Sequence, residues 1–303
     1  MGFNKLFRNK EFIKEQKEIA SILDNLIKNS TKKEPDLVED IISELNLKNK
    51  FISVNSEFIH GSKSQVKFNY NNKKDTQREA GDILFSISLF KNKNLLGHKI
   101  SFTQVKKKEL FKWKPQNGEK EQLYFLSKFP KFKGVSGVFP KEEIILKDYS
   151  KTLGTYTFLN KKFGIEFISA YILSNFVLKN QCCFNLLNNN LKCYLRHPSN
   201  YNSCLYCPET FNFVENLTEF RIGELIRNNG GIPFNRLTVN KEARDIFVGI
   251  FKYLKNKHDD SKLLKKYFSF YRKDILENKS EYKEFNLAVI DIQINLRELE
   301  NEK

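Results

Sequence analysis

The sequence predicts an α/β (α+β) fold with a core of strands and helices, followed by a C-terminal extension of helices and a strand. Three observations support this prediction. Several segments alternate with the period of a strand, others carry apolar residues at helical spacing, and the 303 residues are 40% hydrophobic, enough for a large core. We divide the chain into N-terminal helices (1–50), a core (51–160) and an extension (161–303) that could belong to the same domain.

The apolar periodicity places these elements in order along the chain. Segments with apolar residues at helical spacing predict helices, at residues 11–28, 37–45, 119–128, 215–228, 241–255 and 263–276. Segments of alternating or β-prone residues predict strands, at residues 51–54, 65–68, 144–146, 155–159, 165–168 and 286–295. The polar residues 71–76 predict a loop.

Two further alternating segments, separated by a short polar stretch, predict a β-hairpin. Asp82 stands at the start of the first strand, and Gln104 and Lys106 stand near the end of the second. Pairing of Phe90 with His98 would place Asp82 opposite the lysine. Because alternate residues of a strand point the same way, the sequence predicts that an acid, an amide and a lysine meet on one face at one end of the hairpin.

The motifs Gly81-Asp82 and Gln104-Val105-Lys106 resemble the two motifs of the PD-(D/E)XK nuclease superfamily, in the Gln-X-Lys variant of Mrr-type restriction enzymes. The resemblance covers roughly residues 51–160 and implies a restriction-endonuclease-like core, in which a central mixed sheet is flanked by helices. It implies a metal-dependent endonuclease that hydrolyses phosphodiester bonds in DNA, with RNA not excluded, in restriction or phage defence. The alternative is an inactive nuclease-like module that binds nucleic acid, or a subunit of a defence complex.

On this resemblance, Asp82 is the first ligand of a bound Mg²⁺ or Mn²⁺. Gln104 would offer its amide oxygen to the metal or orient a bound water. Lys106 would polarise the attacking water or stabilise the developing charge of the phosphate. Because an amide carries no charge, we expect a second acid among the catalytic and metal-binding residues. Glu79 is that acid if the chain bends before Asp82, and Glu57 is the other candidate.

Five residues are candidates for substrate contact: Gln122, His60, Lys107, Lys112 and Trp113. The glutamine would reach over the site from the helix at 119–128. Lys112 and Trp113 belong to a basic stretch with interleaved aromatics, which can grip phosphates and stack on bases, and Lys107 belongs to the basic run that follows Val105. The alternative for these residues is structural, with the aromatic ring in the core and the lysines in solvent.

All five cysteines lie within one segment, from residue 182 to residue 207. Cys193, His197, Cys204 and Cys207 form a set of soft ligands that could hold a structural Zn²⁺, and the final CxxC pair is the usual half of such a site. The alternative is free thiols in a reducing compartment.

A net charge of +16 and a pI near 9.4 predict a polyanionic partner, first of all nucleic acid. Free use of lysine by an AT-rich genome is the plainer explanation of the same charge. No apolar run approaches the length of a membrane span, and no apolar leader follows Met1. We therefore expect a cytoplasmic protein without a membrane partner, and a homodimer or a defence-system partner protein stays open.

Overall fold

The structure, a computed structural model, describes residues 6–59, 65–136, 139–177, 204–229, 238–277 and 287–296. Over these ranges the chain forms a nine-stranded mixed sheet flanked by seven α-helices, together with a second sheet of four strands. The predicted mixed α/β fold with a central mixed sheet is therefore confirmed. None of the helices in these ranges is long and apolar enough to cross a membrane.

The helices are α1 (Lys10–Asn29), α2 (Glu34–Glu44), α3 (Asn117–Lys128), α4 (Ala170–Val177), α5 (Thr210–Thr218), α6 (Lys241–Lys257) and α7 (Lys262–Glu277). The strands are β1 (Leu47–Lys48), β2 (Ile52–Ile59), β3 (Gln65–Tyr70), β4 (Lys73–Glu79), β5 (Ile83–Lys91), β6 (Asn94–Lys106), β7 (Phe132–Ser136), β8 (Glu143–Ile144), β9 (Gly154–Asn160), β10 (Gly164–Ser169), β11 (Tyr206–Cys207), β12 (Glu224–Asn228) and β13 (Leu287–Asn295).

The large sheet has the strand order β1-β2-β13-β5-β6-β9-β10-β11, and β12 pairs with the half of β6 that β9 leaves free. β13 runs parallel to β5, and β9 runs parallel to β6, whereas the other neighbouring strands are antiparallel. The last strand along the described chain thus lies inside the sheet, between β2 and β5. The sheet therefore combines strands that are far apart in the sequence.

β5 and β6 form the predicted hairpin, but their register differs from the predicted one. His98 pairs with Ser88 instead of Phe90, and continuation of this register places Asp82 opposite Gln104. The shift amounts to two residues. Because side chains alternate with a period of two, every residue keeps its predicted face.

The register is set by a turn that is tighter than the polar stretch predicted. Lys91 pairs with Asn94, which leaves Asn92 and Lys93 as a two-residue turn. Both turn residues have positive φ, 51° and 66°, as the common two-residue hairpin turn requires. The residues after the turn therefore extend β6, where the sequence had predicted more loop.

Helices cover both faces of the large sheet. α1, α2 and α5 pack on the face that carries Ile83, Phe85 and Ile87. α3, α6 and α7 pack on the opposite face, which carries Leu84 and Phe102. Because both faces are covered, the central strands are buried along almost their whole length, as in other sheets between two helical layers.

The small sheet has the order β4-β3-β7-β8 and covers the outer side of α3. Phe68 and Phe132 pack on Phe125 of this helix, with ring centroids 5.2 and 5.1 Å apart. β4 replaces most of the loop predicted at residues 71–76. β4 is an edge strand whose residues are mostly exposed, so polar side chains suit it. Loops have the same polar composition, and the sequence therefore predicted a loop here.

The helix predicted at residues 215–228 is wrong beyond Thr218, where α5 ends. The chain turns through Phe220 and Gly223, with φ of 62° and 98°, and then pairs with β6 as β12. A Cβ atom at Gly223 would lie 2.8 Å from the backbone oxygen of Ile100. The close approach of two backbones, which only glycine permits here, decides the structure of this segment.

Candidate functional site

The candidate site begins where the chain leaves the small sheet and enters the large one. β4 ends at Glu79, and Gly81, with φ of 150°, turns the chain into β5. The N–H of Asp82 then donates to the oxygen of Thr103 at 2.9 Å. The bend that Glu79 needs to approach the face of Asp82 is therefore present, because the two residues belong to different sheets.

Asp82, Gln104 and Gln122 form a hydrogen-bonded chain. The N–H of Val105 donates to Oδ2 of Asp82 at 2.8 Å, and Nε2 of Gln104 donates to the same oxygen. Gln122, on α3, donates from Nε2 to Oε1 of Gln104 and, at 3.1 Å, to the backbone oxygen of Glu79. The amide oxygen of Gln104 thus accepts from Gln122 while its nitrogen orients Asp82, and its expected role at a metal stays a prediction.

The carboxyl group of Asp82 is difficult to ionise. Burial, with a smaller effect of the charges of Glu79 and Glu34, raises the pKa of Asp82 to about 6, although the Val105 N–H and Lys106 act in the opposite direction. Oδ1 accepts no hydrogen bond from the residues that the structure describes, since both recorded bonds end on Oδ2. One oxygen of this partly buried carboxyl is therefore left for another partner.

Asp82 borders a cleft of about 190 Å³ between α2 and the start of β5. The cleft is lined by Glu34, Pro35, Val38, Glu39, Phe58, Glu79, Gly81 and Asp82. Glu34 is a site residue that the sequence analysis missed, and its Oε2 accepts from the N–H of Lys107 at 2.8 Å. Pro35 indicates a helix start at this point of the sequence, but no local pattern indicates that this helix start lies beside the hairpin.

Lys106 lies at the edge of the site, between two helix starts. Its Nζ is 3.7 Å from Oε1 of Glu34 and 3.7 Å from Oε1 of Glu119, and its side chain is 15% exposed. Glu119 is fixed in the first turn of α3, where Oε2 accepts from the N–H of Gln116 at 2.9 Å. Both distances exceed a normal hydrogen bond, so the ammonium group is held near the carboxylates without a tight bond to either.

Tyr156 is a second neighbour that the sequence analysis missed. It pairs with Gln104 in the register of β9 and β6, is fully buried, and its hydroxyl has no hydrogen-bond partner among the described residues. Burial raises the pKa of Tyr156 well above its usual value, and the charges of Glu119 and Asp82 act in the same direction. The site thus has a hydroxyl donor beside its acids.

The oxygen donors around Asp82 suit a hard divalent cation by their chemistry. Glu79 and Glu34 are close enough for their charges to raise the pKa of Asp82. In the part of the chain that the structure describes, however, no three His, Cys, Asp or Glu side chains stand together in a metal-holding arrangement. Glu57, the other predicted acid, accepts hydrogen bonds at the start of α7 instead.

Trp113 lies beneath the site, and its predicted contact with substrate needs correction. The ring is fully buried, with centroids 5.3 and 5.5 Å from those of Tyr156 and Phe158. Its Nε1 donates to Oε1 of Glu119 at 3.3 Å. A ring enclosed in this way has no face to stack on a base, and it supports the carboxylate beside Lys106.

The other candidates for substrate contact lie around the edge of the site or outside the described residues. Lys112 is exposed and pairs with Glu109 at 2.7 Å. Lys107 donates from Nζ to the backbone oxygen of Lys32. His60 lies outside the described residues, so its predicted role stays a prediction.

The predicted zinc ligands are only partly described. Cys193 and His197 lie outside the described residues, whereas Cys204 and Cys207 are free thiols whose Sγ atoms are 3.3 Å apart. The structural zinc site therefore stays a prediction.

No family model matches this chain, and searches among curated proteins and solved structures found no match either. A functional conclusion for this chain therefore depends on its own residues and their geometry.

Proposed function

We propose that the chain is a metal-dependent endonuclease of PD-(D/E)XK type, with a restriction-endonuclease-like core, that hydrolyses phosphodiester bonds in DNA. One observation supports this most. The hairpin places Asp82 opposite Gln104, with Lys106 on the same face at the same end. α3 follows the lysine-bearing strand along the chain and packs on that face, where its Gln122 donates to Gln104.

In this proposal, Asp82 and Glu79 hold Mg²⁺ or Mn²⁺, with Glu34 as a further carboxylate at the cleft. The cation supplies counter-charge to the phosphate and lowers the pKa of a nucleophilic water. The Gln122–Gln104 pair holds Asp82 through Oδ2, so Oδ1 stays available for the cation. The amides thus fix the orientation of the carboxylate before any ligand arrives.

Lys106 is the residue that acts on the phosphate or on the attacking water. An ammonium group 3.7 Å from each of two carboxylates can turn toward an incoming anion with little loss of pairing energy. There it would stabilise the charge that develops in the transition state. Trp113 and Glu119 support this position from below.

The test is Mg²⁺-dependent cleavage of plasmid and single-stranded substrates by wild type, Asp82→Ala and Lys106→Ala. We expect each substitution to lower cleavage by about 100-fold or more, with the fold and most DNA binding retained. Asp259→Ala and Lys273→Ala, at exposed positions, are the matched controls and should cleave like wild type. Wild-type activity in either site variant, or loss of folding in both, would contradict the assignment.

A second candidate is a nuclease-like module that binds nucleic acid without cutting it. Gln104 favours this candidate, because a neutral amide stands where an acid is expected and its oxygen already accepts from Gln122. Tight binding without cleavage in Mg²⁺ or Mn²⁺ would identify it. With either candidate we propose a cytoplasmic role in restriction or phage defence, which phage plating on cells with wild type or Asp82→Ala would test.

A further inference from the structure

Two free thiols lie in contact where the chain enters the edge strand β11. Cys204 and Cys207 are three residues apart, and their Sγ atoms are 3.3 Å from each other. A disulfide has a sulfur–sulfur distance of about 2.0 Å, so bond formation requires the two sulfurs to approach by little more than ~1 Å. Rotation of the two side chains with a small backbone adjustment covers this distance.

Backbone hydrogen bonds hold both cysteines on the sheet. The N–H of Cys204 donates to the oxygen of Arg221 at 2.8 Å, and Cys207 pairs with Phe167 of β10. The short distance between the sulfurs is therefore a property of a fixed backbone. Reaction between the two thiols needs no rearrangement of the large sheet.

The surroundings of the two sulfurs differ. Cys204 is partly exposed, whereas Cys207 is fully buried. The two sulfurs are in direct contact, and Sγ of Cys204 also lies 3.2 Å from the backbone oxygen of Tyr206. Because only Cys204 of the pair is open to solvent, it is the sulfur that a dissolved disulfide reaches first.

We propose that Cys204 and Cys207 form a redox-active dithiol that exchanges with small-molecule disulfides such as oxidised glutathione. The Cys204 thiolate attacks one sulfur of the disulfide, which gives a mixed disulfide and releases a thiolate. The Cys207 thiol gives its proton to that thiolate and attacks Sγ of Cys204, which closes the protein disulfide and releases a second thiolate. The protein loses two electrons, and the small disulfide gains them.

The test starts from the reduced full-length chain, which is incubated with oxidised glutathione and mapped by mass spectrometry. Wild type should form a disulfide between Cys204 and Cys207. Cys207→Ser should stop at one glutathione adduct on Cys204, because the second thiol is missing. Cys204→Ser should give no adduct on Cys207, because that thiol is buried. The inference does not depend on nuclease activity.

Cys182→Ser is the control and should form the same disulfide as wild type. In wild type, iodoacetamide at neutral pH should modify Cys204 at least about tenfold faster than Cys207. Equal rates, a disulfide from Cys204 to Cys193, or bound zinc that protects both sulfurs until a chelator is added would each overturn the proposal. If a variant fails to fold, the disulfides that mass spectrometry maps in wild type decide between the proposal and these alternatives.

Discussion

Asp82 occupies a position that disfavours its own charge. The pKa of its carboxyl is about 6 in the folded chain because of burial, against an ordinary value near 4, so the folded state favours the protonated form. The protonated carboxyl therefore adds to the free energy of unfolding. This contribution is complete below about pH 4 and is lost as the pH rises through 6. A conflict of this kind agrees with the role that we propose for Asp82, because functional sites often cost stability.

Asp82→Asn should therefore become more stable relative to wild type as the pH rises. Since one pKa unit corresponds to about 1.4 kcal/mol, we expect the difference in unfolding free energy to grow by about 2–3 kcal/mol between pH 4 and pH 8. Urea unfolding at both pH values measures it. Asp259→Asn, at an exposed position, should show no such trend, and a constant difference for Asp82→Asn would argue that its carboxyl titrates normally.

Gln104→Glu separates the enzyme from the binding module. The substitution places a second carboxylate against Oδ2 of Asp82, where Nε2 now donates. Without metal we expect a loss of about 1–3 kcal/mol in unfolding free energy. If the site binds a cation, Mg²⁺ should restore stability, and cleavage should survive to a measurable degree.

Glu79→Gln is the matched variant, because it removes a charge where Gln104→Glu adds one. It should weaken Mg²⁺ binding strongly and lower nicking of plasmid DNA under the same conditions. Full activity in Glu79→Gln would remove Glu79 from the metal site and turn attention to Glu34. Activity that appears only in Gln104→Glu would favour the binding module.

Among the elements, β12 depends on one glycine. Gly223→Ala should lower the unfolding free energy by about 1–3 kcal/mol, because φ is 98° and the new Cβ would lie 2.8 Å from the backbone oxygen of Ile100. Gly118→Ala is the matched control in α3, where Cβ would lie 3.4 Å from the flexible end of Arg78. It should stabilise the chain by about 0.5–1 kcal/mol. Urea midpoints measure both effects, and equal effects would contradict the argument.

The elements also show which local signals predict structure. The hairpin was predicted on the correct faces although its register was wrong, because a shift by two residues preserves the side-chain alternation. The helix at 215–228 failed because its apolar residues satisfy a strand equally well once Gly223 brings the backbone to β6. The contact that decides between the two structures lies more than a hundred positions away in the sequence.

For the whole molecule, the net charge of +16 predicts salt-dependent binding of nucleic acid. If six or more phosphates are contacted, affinity should fall by about 1,000-fold between about 50 and 200 mM salt. The slope of log affinity against log salt measures the number of contacts. Lys112→Ala should reduce that slope by about one if this exposed lysine contacts a phosphate, and a flat titration would remove nucleic acid as the main partner.

The fold class could be predicted because periodicity is local, whereas much of the site could not. Asp82, Gln104 and Lys106 share a face through simple alternation along two adjacent strands. Glu34 joins them only through the packing of α2 beside the hairpin. The orientation of the Gln104 amide depends on Gln122, and no sequence pattern specifies which end of an amide faces which neighbour.

The place of β13 between β2 and β5 has a consequence for the order of folding during synthesis. Ser86 of β5 and Asp291 of β13 share a hydrogen bond across 205 positions of sequence. Until the ribosome has released residues 287–295, β2 and β5 lack their common neighbour and present open edges. The backbone oxygen of Asp82 accepts from the N–H of Ala288 at 3.3 Å. The surroundings of this acid are therefore completed by a segment that is translated long after Asp82 itself. A nascent chain therefore contains Asp82, Gln104 and Lys106 long before the structure around them can be completed.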